Sequence, residues 1–233
     1  MKRMGILPLF CAAALVVACN SNKTADNVNT NDPAAVGTAG EAERTAVHDS
    51  DRDFINHQLT DGTAEVELGK MAGQKAVNPE VKRFAQIMVD DHTKAGNELK
   101  DIAGKYGVPA APAIDDKHQE LMDRLSKLRG AEFDREYIKA MVDGHQNAVD
   151  NLQSRVDSTA SLKDQITDRD KADKQVVPEK TDNVVEASVN QWAAAALPVV
   201  RQHLDEARTI HDAMDRNGRV TETARNNKVR NEK

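Results

Sequence analysis

Asn78-Pro79-Glu80-Val81-Lys82-Arg83-Phe84-Ala85-Gln86-Ile87-Met88-Val89-Asp90-Asp91-His92-Thr93 starts as a helix and continues as one. Asn78 can cap the free N–H groups of a first turn. Pro79 is tolerated at the first helical position, where no N–H partner is needed. Glu80 complements the positive end of the helix dipole. Val81, Phe84, Ala85, Met88, Ala95, Leu99 and Ile102 then recur at steps of three and four, with His92 on the same stripe. Gly107 and Pro109 stop the pattern, which predicts a helix from about Pro79 to Lys105.

Working outward, three more long helical patterns are predicted. The first spans about Asp51 to Ala76, with a weak Ser50/Asp53 capping pattern and a kink expected near Gly62 or Gly69. The third spans about Ala131 to Val156. The fourth spans about Asn183 to Arg216, with a kink expected at Pro198. Between the second and third lies a Pro/Ala loop with a short helical pattern, Asp116 to Leu128. Residues 157–181 are dense in Asp and Lys and read as a long exposed connection. No strand-like alternation is sustained. The expected fold is all-α: a ferritin-like four-helix bundle over 46–216, with its long connection and short extra helix between helices two and three.

The stripes carry polar residues where apolar ones are expected. Helix one reads Phe54, Glu65, Leu68, Gly69, Ala72. Helix three reads Phe133, Tyr137, Met141, His145, Ala148, Leu152. Helix four reads Trp192, Ala196, Val199, His203, Ala207, Ile210, Met214. Helices two, three and four thus each carry one stripe histidine, and helix one a glutamate. The turn near Val77-Asn78 makes helices one and two antiparallel. His92 then lies level with residue 63, within one turn of Glu65. A buried carboxylate needs a partner or a metal, and a buried imidazole needs partners for both ring nitrogens. Glu65, His92, His145 and His203 are therefore candidate ligands for one transition metal such as Fe, Zn, Cu or Mn. A metal-free polar network is the equally simple reading. A di-iron carboxylate centre is disfavoured, because no Glu-x-x-His occurs anywhere in the chain. Asp91 is read as solvated rather than as a histidine partner, and His57 and His118 as exposed.

The ends give an address. Lys2 and Arg3 precede an uncharged apolar run, Ile6 to Val17, too short for a mature membrane span and suited to an export signal. The run ends in Val16-Val17-Ala18-Cys19, which is similar to the lipobox of bacterial lipoproteins. By that resemblance, 1–18 is removed, Cys19 is lipidated, and Asn20 in place of Asp favours the outer membrane. Residues 19–45 then form a flexible tether, and 217–233 a disordered, locally basic tail. Cys11 leaves with the signal, so the mature domain has no thiol for a disulfide, nucleophile or thiolate site. Removing Lys2 and Arg3 takes the formal charge from −6 to −8, which excludes the basic face of a nucleic-acid binder. No phosphate loop or activated serine is present.

Glu65-Val66-Glu67-Leu68-Gly69-Lys70-Met71-Ala72, the Asn78–Thr93 stretch, Ala131-Glu132-Phe133-Asp134-Arg135-Glu136-Tyr137 with His145, and Leu197-Pro198 with His203 occur together and in order. This set resembles a family of bacterial exported, ferritin-like proteins catalogued as a domain of unknown function (DUF 4142). The resemblance covers about Asp51 to Met214 and implies the same fold and an envelope location. The 157–181 connection is longer than the family pattern implies. Three functional readings stand open: a non-catalytic, stress-related or binding module with a His/Glu core site holding one metal ion, which is favoured; a ferritin-like redox metalloenzyme; and a structural scaffold for another envelope protein. Partners expected are the membrane, through lipidated Cys19, and no nucleic acid.

Overall fold

The computed structural model describes residues 40–110, 113–156 and 176–231, with side chains as far as 216. The export signal, Cys19, most of the tether and residues 157–175 of the charged connection lie outside the described residues. The helices are α1 (Asp49–Lys75), α2 (Pro79–Lys105), α3 (Asp116–Lys127), α4 (Gly130–Gln153) and α5 (Val184–Asn231). A short helical segment at 40–45 precedes them. Among the described residues there is no strand, only a single antiparallel bridge between Val156 and Pro178. No described helix is long and apolar enough to cross a membrane.

Local chemistry sets the helix ends. Asn78 Oδ1 accepts from Glu80 N at 2.9 Å with Pro79 following, as the sequence predicts. At the far end of α2, Gly107 takes φ +67, and Val108 N reaches back to Ala103 O at 2.9 Å. That is a left-handed stop that glycine makes at least cost. Asn183 starts α5: its Oδ1 accepts from Val185 N and Glu186 N, while its Nδ2 donates to Glu43 O and Ala46 O.

Three sequence expectations are corrected. Helix α1 begins at Asp49, so His48 rather than Ser50 takes the cap position and makes no side-chain cap bond, while Asp49 and Asp51 place acidic groups in the first turn. Helix α5 runs on through the expected tail to Asn231; 217–231 contain no proline, and one interior Gly218 costs only ~1 kcal/mol against strong helix formers. Val199, assigned to the buried stripe, is 40% exposed; the buried line there is Val189, Ala193, Leu197, Val200 and Leu204.

Direction follows from contacts between helix ends. At the upper end, the buried Asp134 carboxylate accepts from Val77 N and Asn78 N at 3.1 and 2.8 Å, joining the start of α4 to the α1/α2 turn. At the lower end, Arg155 Nη1 donates to the buried Asp51 at 2.6 Å, joining the end of α4 to the start of α1. Helix α4 therefore descends parallel to α2. Helix α5 ascends, from Asn183 beside 43–46, past Ser188 bonded to Tyr106, to Glu206 paired with Arg83. The order is up, down, down, up. This requires 106–129 to cross the length of the molecule, with α3 lying along the way, and it is the ferritin-like connection. The long connection from α4 to α5 starts and ends at one level: Val156 bridges Pro178 and Glu179 N donates to Arg155 O at 3.1 Å. Its length therefore does not separate α4 from α5.

The core is divided in two. A lower cluster holds Phe54, Ile55, Leu59, Leu99, Leu152, Trp192 and Leu197. An upper cluster holds Leu68, Phe84, Met88, Phe133, Tyr137, Met141 and Ile210. Between them lies a polar layer.

Candidate metal centre

The polar layer is built by one residue from each long helix: Glu65 from α1, His92 from α2, His145 from α4 and His203 from α5. Each sits on its helix's apolar stripe, so the packing that buries the stripe also buries the polar group. The three imidazole centroids form a triangle with every side 5.5 Å. One ligand nitrogen from each ring lies within 4.8 Å of the other two, the only such group of three or more among the described residues. All four residues named from the sequence are thus brought together.

The outer nitrogen of every ring faces an acceptor. His92 Nδ1 lies 3.0 Å from Glu65 Oε2. His145 Nδ1 lies 2.9 Å from Met141 O and 3.4 Å from Glu65 Oε1. His203 Nε2 lies 2.9 Å from Asp91 Oδ2. A carbonyl or carboxylate can only accept, so these nitrogens carry the hydrogens. The remaining nitrogens, His92 Nε2, His145 Nε2 and His203 Nδ1, are buried and have no hydrogen-bond partner. In the neutral rings these atoms hold lone pairs. Metal-binding histidines use this arrangement, in which an acceptor behind the ring sets its tautomer and orientation.

The electrostatics divide the site. Burial opposes ionisation of Glu65, but His92 and then His145 beside it hold its carboxyl at about 2. Burial opposes a charge on His92, but Glu65 prevails and its pKa is raised. For His145, burial outweighs Glu65 and the pKa is lowered. For His203, burial outweighs the bond to Asp91, and the other two imidazoles depress it further, to about 4. Tyr137 is also buried with an unpartnered hydroxyl; burial and then the charge of Glu65 push its pKa up.

Two groups differ from the sequence reading. Asp91 is a histidine partner while remaining 44% exposed, because the residue preceding His92 on α2 turns toward α5. The side chain of His118 is only 13% exposed, held between Asp115 at 2.6 Å and Asp61 at 3.7 Å. His57 is 53% exposed, as expected. The Met141 carbonyl had no signal in the sequence beyond its place one helical turn before His145.

A cavity of about 290 Å³ opens beside the layer, touching Glu65, His92 and His203. The donor set is compatible with a transition metal: three imidazoles, no thiolate, and no second set of carboxylates for a dinuclear centre.

The chain is similar to three solved structures, of which the first supports the helical fold. A fragment of the DUF305 protein from Deinococcus radiodurans matches with a TM-score of 0.51 at 16% identity, covering 72% of this chain and 97% of that one. CopM in its Cu(II)-bound form matches with a TM-score of 0.39 at 22% identity, covering 66% and 95%. Its Cu(I)-bound form gives 0.38 and 23%, covering 65% and 93%. No functionally curated protein sequence matches the chain. Residues 36–168, more than half of the sequence, match the family described as "Domain of unknown function (DUF4142)". By that match over more than half of its length, the chain belongs to the DUF4142 family.

Proposed function

We propose that the protein is an envelope lipoprotein whose bundle binds one transition-metal ion through His92 Nε2, His145 Nε2 and His203 Nδ1. The observation that carries this reading is that three rings bring nitrogens within 4.8 Å of one another while each ring keeps one buried nitrogen with no hydrogen-bond partner. A purely structural network would use both nitrogens of each ring. Leaving one unpaired in three rings costs about 1–3 kcal/mol each, which a bound cation removes. Glu65, expected as a ligand, takes an orienting role in this reading, because its two oxygens face Nδ1 of His92 and His145. Asp91 does the same for His203. An all-imidazole set suits copper or zinc better than manganese, which prefers carboxylate oxygen. The three ligands leave coordination positions free, while Glu65 and Asp91 beside them are engaged by the histidines, so binding rather than catalysis is the reading taken.

The test is elemental analysis of purified mature protein after chelation and reloading. About one copper or zinc per chain is expected, falling to background in His145→Ala and in His92→Ala. Equal metal content in wild type and both variants would remove the proposal. The lipid anchor rests on Val16-Val17-Ala18-Cys19 and is tested separately: labelled palmitate is expected on the wild-type chain and not on Cys19→Ala.

A further inference from the structure

The cavity beside the polar layer is unusual within this molecule. The core on either side of it is filled by Phe, Leu, Met and Tyr, yet here four alanines, Ala95, Ala148, Ala195 and Ala196, stand among the larger Leu152, Trp192, Val199 and Val200. Glycines Gly62 and Gly96 widen it further. At about 290 Å³ it is roughly twice the ~150 Å³ of an engineered cavity that accommodates benzene. One end is the metal layer, where it meets His92 and His203. Around its lining the carboxyl groups of Asp61, Glu65, Asp91 and Glu98 outnumber the one ammonium, Lys94. The only tryptophan of the chain, Trp192, forms part of the wall and donates from Nε1 to Ala95 O at 3.2 Å.

We infer that this cavity is a binding pocket for a small uncharged organic molecule, with an apolar body against the alanine and Trp192 walls and a lone-pair donor directed at the metal. The inference rests on the metal reading above and adds the class of ligand. Three protein ligands leave a position for an exogenous donor, as in open metal sites. The pocket sits where that donor must enter, since it borders two of the three imidazoles. Anions are disfavoured, because four carboxyl side chains, Asp61, Glu65, Asp91 and Glu98, line the cavity against one ammonium, Lys94. Apolar contact with the alanines and the indole favours a hydrocarbon or aromatic body over a bare polar one.

The test is titration of copper-loaded protein with imidazole, 4-phenylimidazole and azide, read by Trp192 fluorescence and by the copper visible band. 4-Phenylimidazole is expected to bind at least about tenfold more tightly than imidazole, since burying its phenyl group is worth more than the ~1.4 kcal/mol that tenfold requires. Azide is expected to bind most weakly. Ala196→Phe fills the pocket and is expected to weaken 4-phenylimidazole at least about tenfold while copper content stays at that of wild type. Ala95→Leu, on α2, acts in the same direction, and circular dichroism checks that both variants are folded. Equal affinity for imidazole and 4-phenylimidazole, tightest binding of azide, or insensitivity to both substitutions would overturn the inference. Failure of wild-type protein to retain either copper or zinc instead removes the metal reading. The fluorescence titration of metal-free protein then decides the pocket alone: quenching that depends on Ala196 keeps it, and its absence removes it.

Discussion

Single residues here act through what packs against them. The three stripe histidines were legible from period alone, because a polar residue at a three- or four-residue step among apolar ones must face the core. Their partners were not. Asp91 bonds to His203 because of how α2 is rotated toward α5, and rotation between helices is not written in either helix's period. Gly69 shows the same limit: it reads as a weak point, but α1 is continuous there. An added Cβ would sit 2.9 Å from both Ala85 O and Val89 Cγ2. The glycine permits close approach of α1 and α2, so Gly69→Ala is expected to cost about 1–3 kcal/mol in urea unfolding. Acidification is expected to weaken the metal-free protein. His203 has a folded pKa of about 4 against the ordinary 6.5, so the folded state takes up the proton less readily. Its contribution is complete above about 6.5 and falls toward pH 4 by something of the order of 3 kcal/mol. Glu65, lowered from 4.5 to about 2, adds loss in the same direction at lower pH. His92, whose pKa is raised, works the other way: its contribution is full below 6.5 and is lost as pH rises through its raised value. Urea midpoints measured from pH 7 to about 4 check the net fall.

Helices and their connections divide by what fastens their ends. The α1/α2 hairpin was legible because Asn78-Pro79-Glu80 is a local signal. The lower closure was not, because it depends on Asp51 and Arg155, 104 residues apart. Asp51 is fully buried there, and the Arg155 guanidinium also lies 4.6 Å from the Phe54 ring centroid. Arg155→Ala leaves that carboxylate without its cation, so a loss of about 3–5 kcal/mol is expected, measured by chemical unfolding. The opposite expectation holds for the charged connection. Since Val156 and Pro178 already meet, replacing 157–175 by a linker of about four residues is expected to change the thermal midpoint by no more than a degree or two and to leave metal content unchanged. The end of α5 was misread because a run of polar residues resembles a tail as readily as it does a solvated helix.

Across the whole molecule, the metal reading joins two halves. His92 belongs to the α1/α2 pair, and His145 and His203 belong to the α4/α5 pair. An ion held by all three fastens one pair to the other midway between the two apolar clusters. Metal-saturated wild type is therefore expected to melt several degrees higher than metal-free protein, and His145→Ala to show no such rise; differential scanning calorimetry reads both. The ferritin-like class was legible from connection lengths, whereas the parallel course of α2 and α4 needed Asp134 and Arg155 to establish it. That parallel course has a kinetic consequence. Each hairpin can form from neighbouring chain, but joining them must close contacts such as Asn183 to Glu43, 140 residues apart, so contact order is high for an α protein. Docking of the preformed pairs becomes the slow event in refolding. An ion that needs donors from both pairs engages only after that event, so stopped-flow mixing should find unchanged refolding rates and markedly slower unfolding when metal is present.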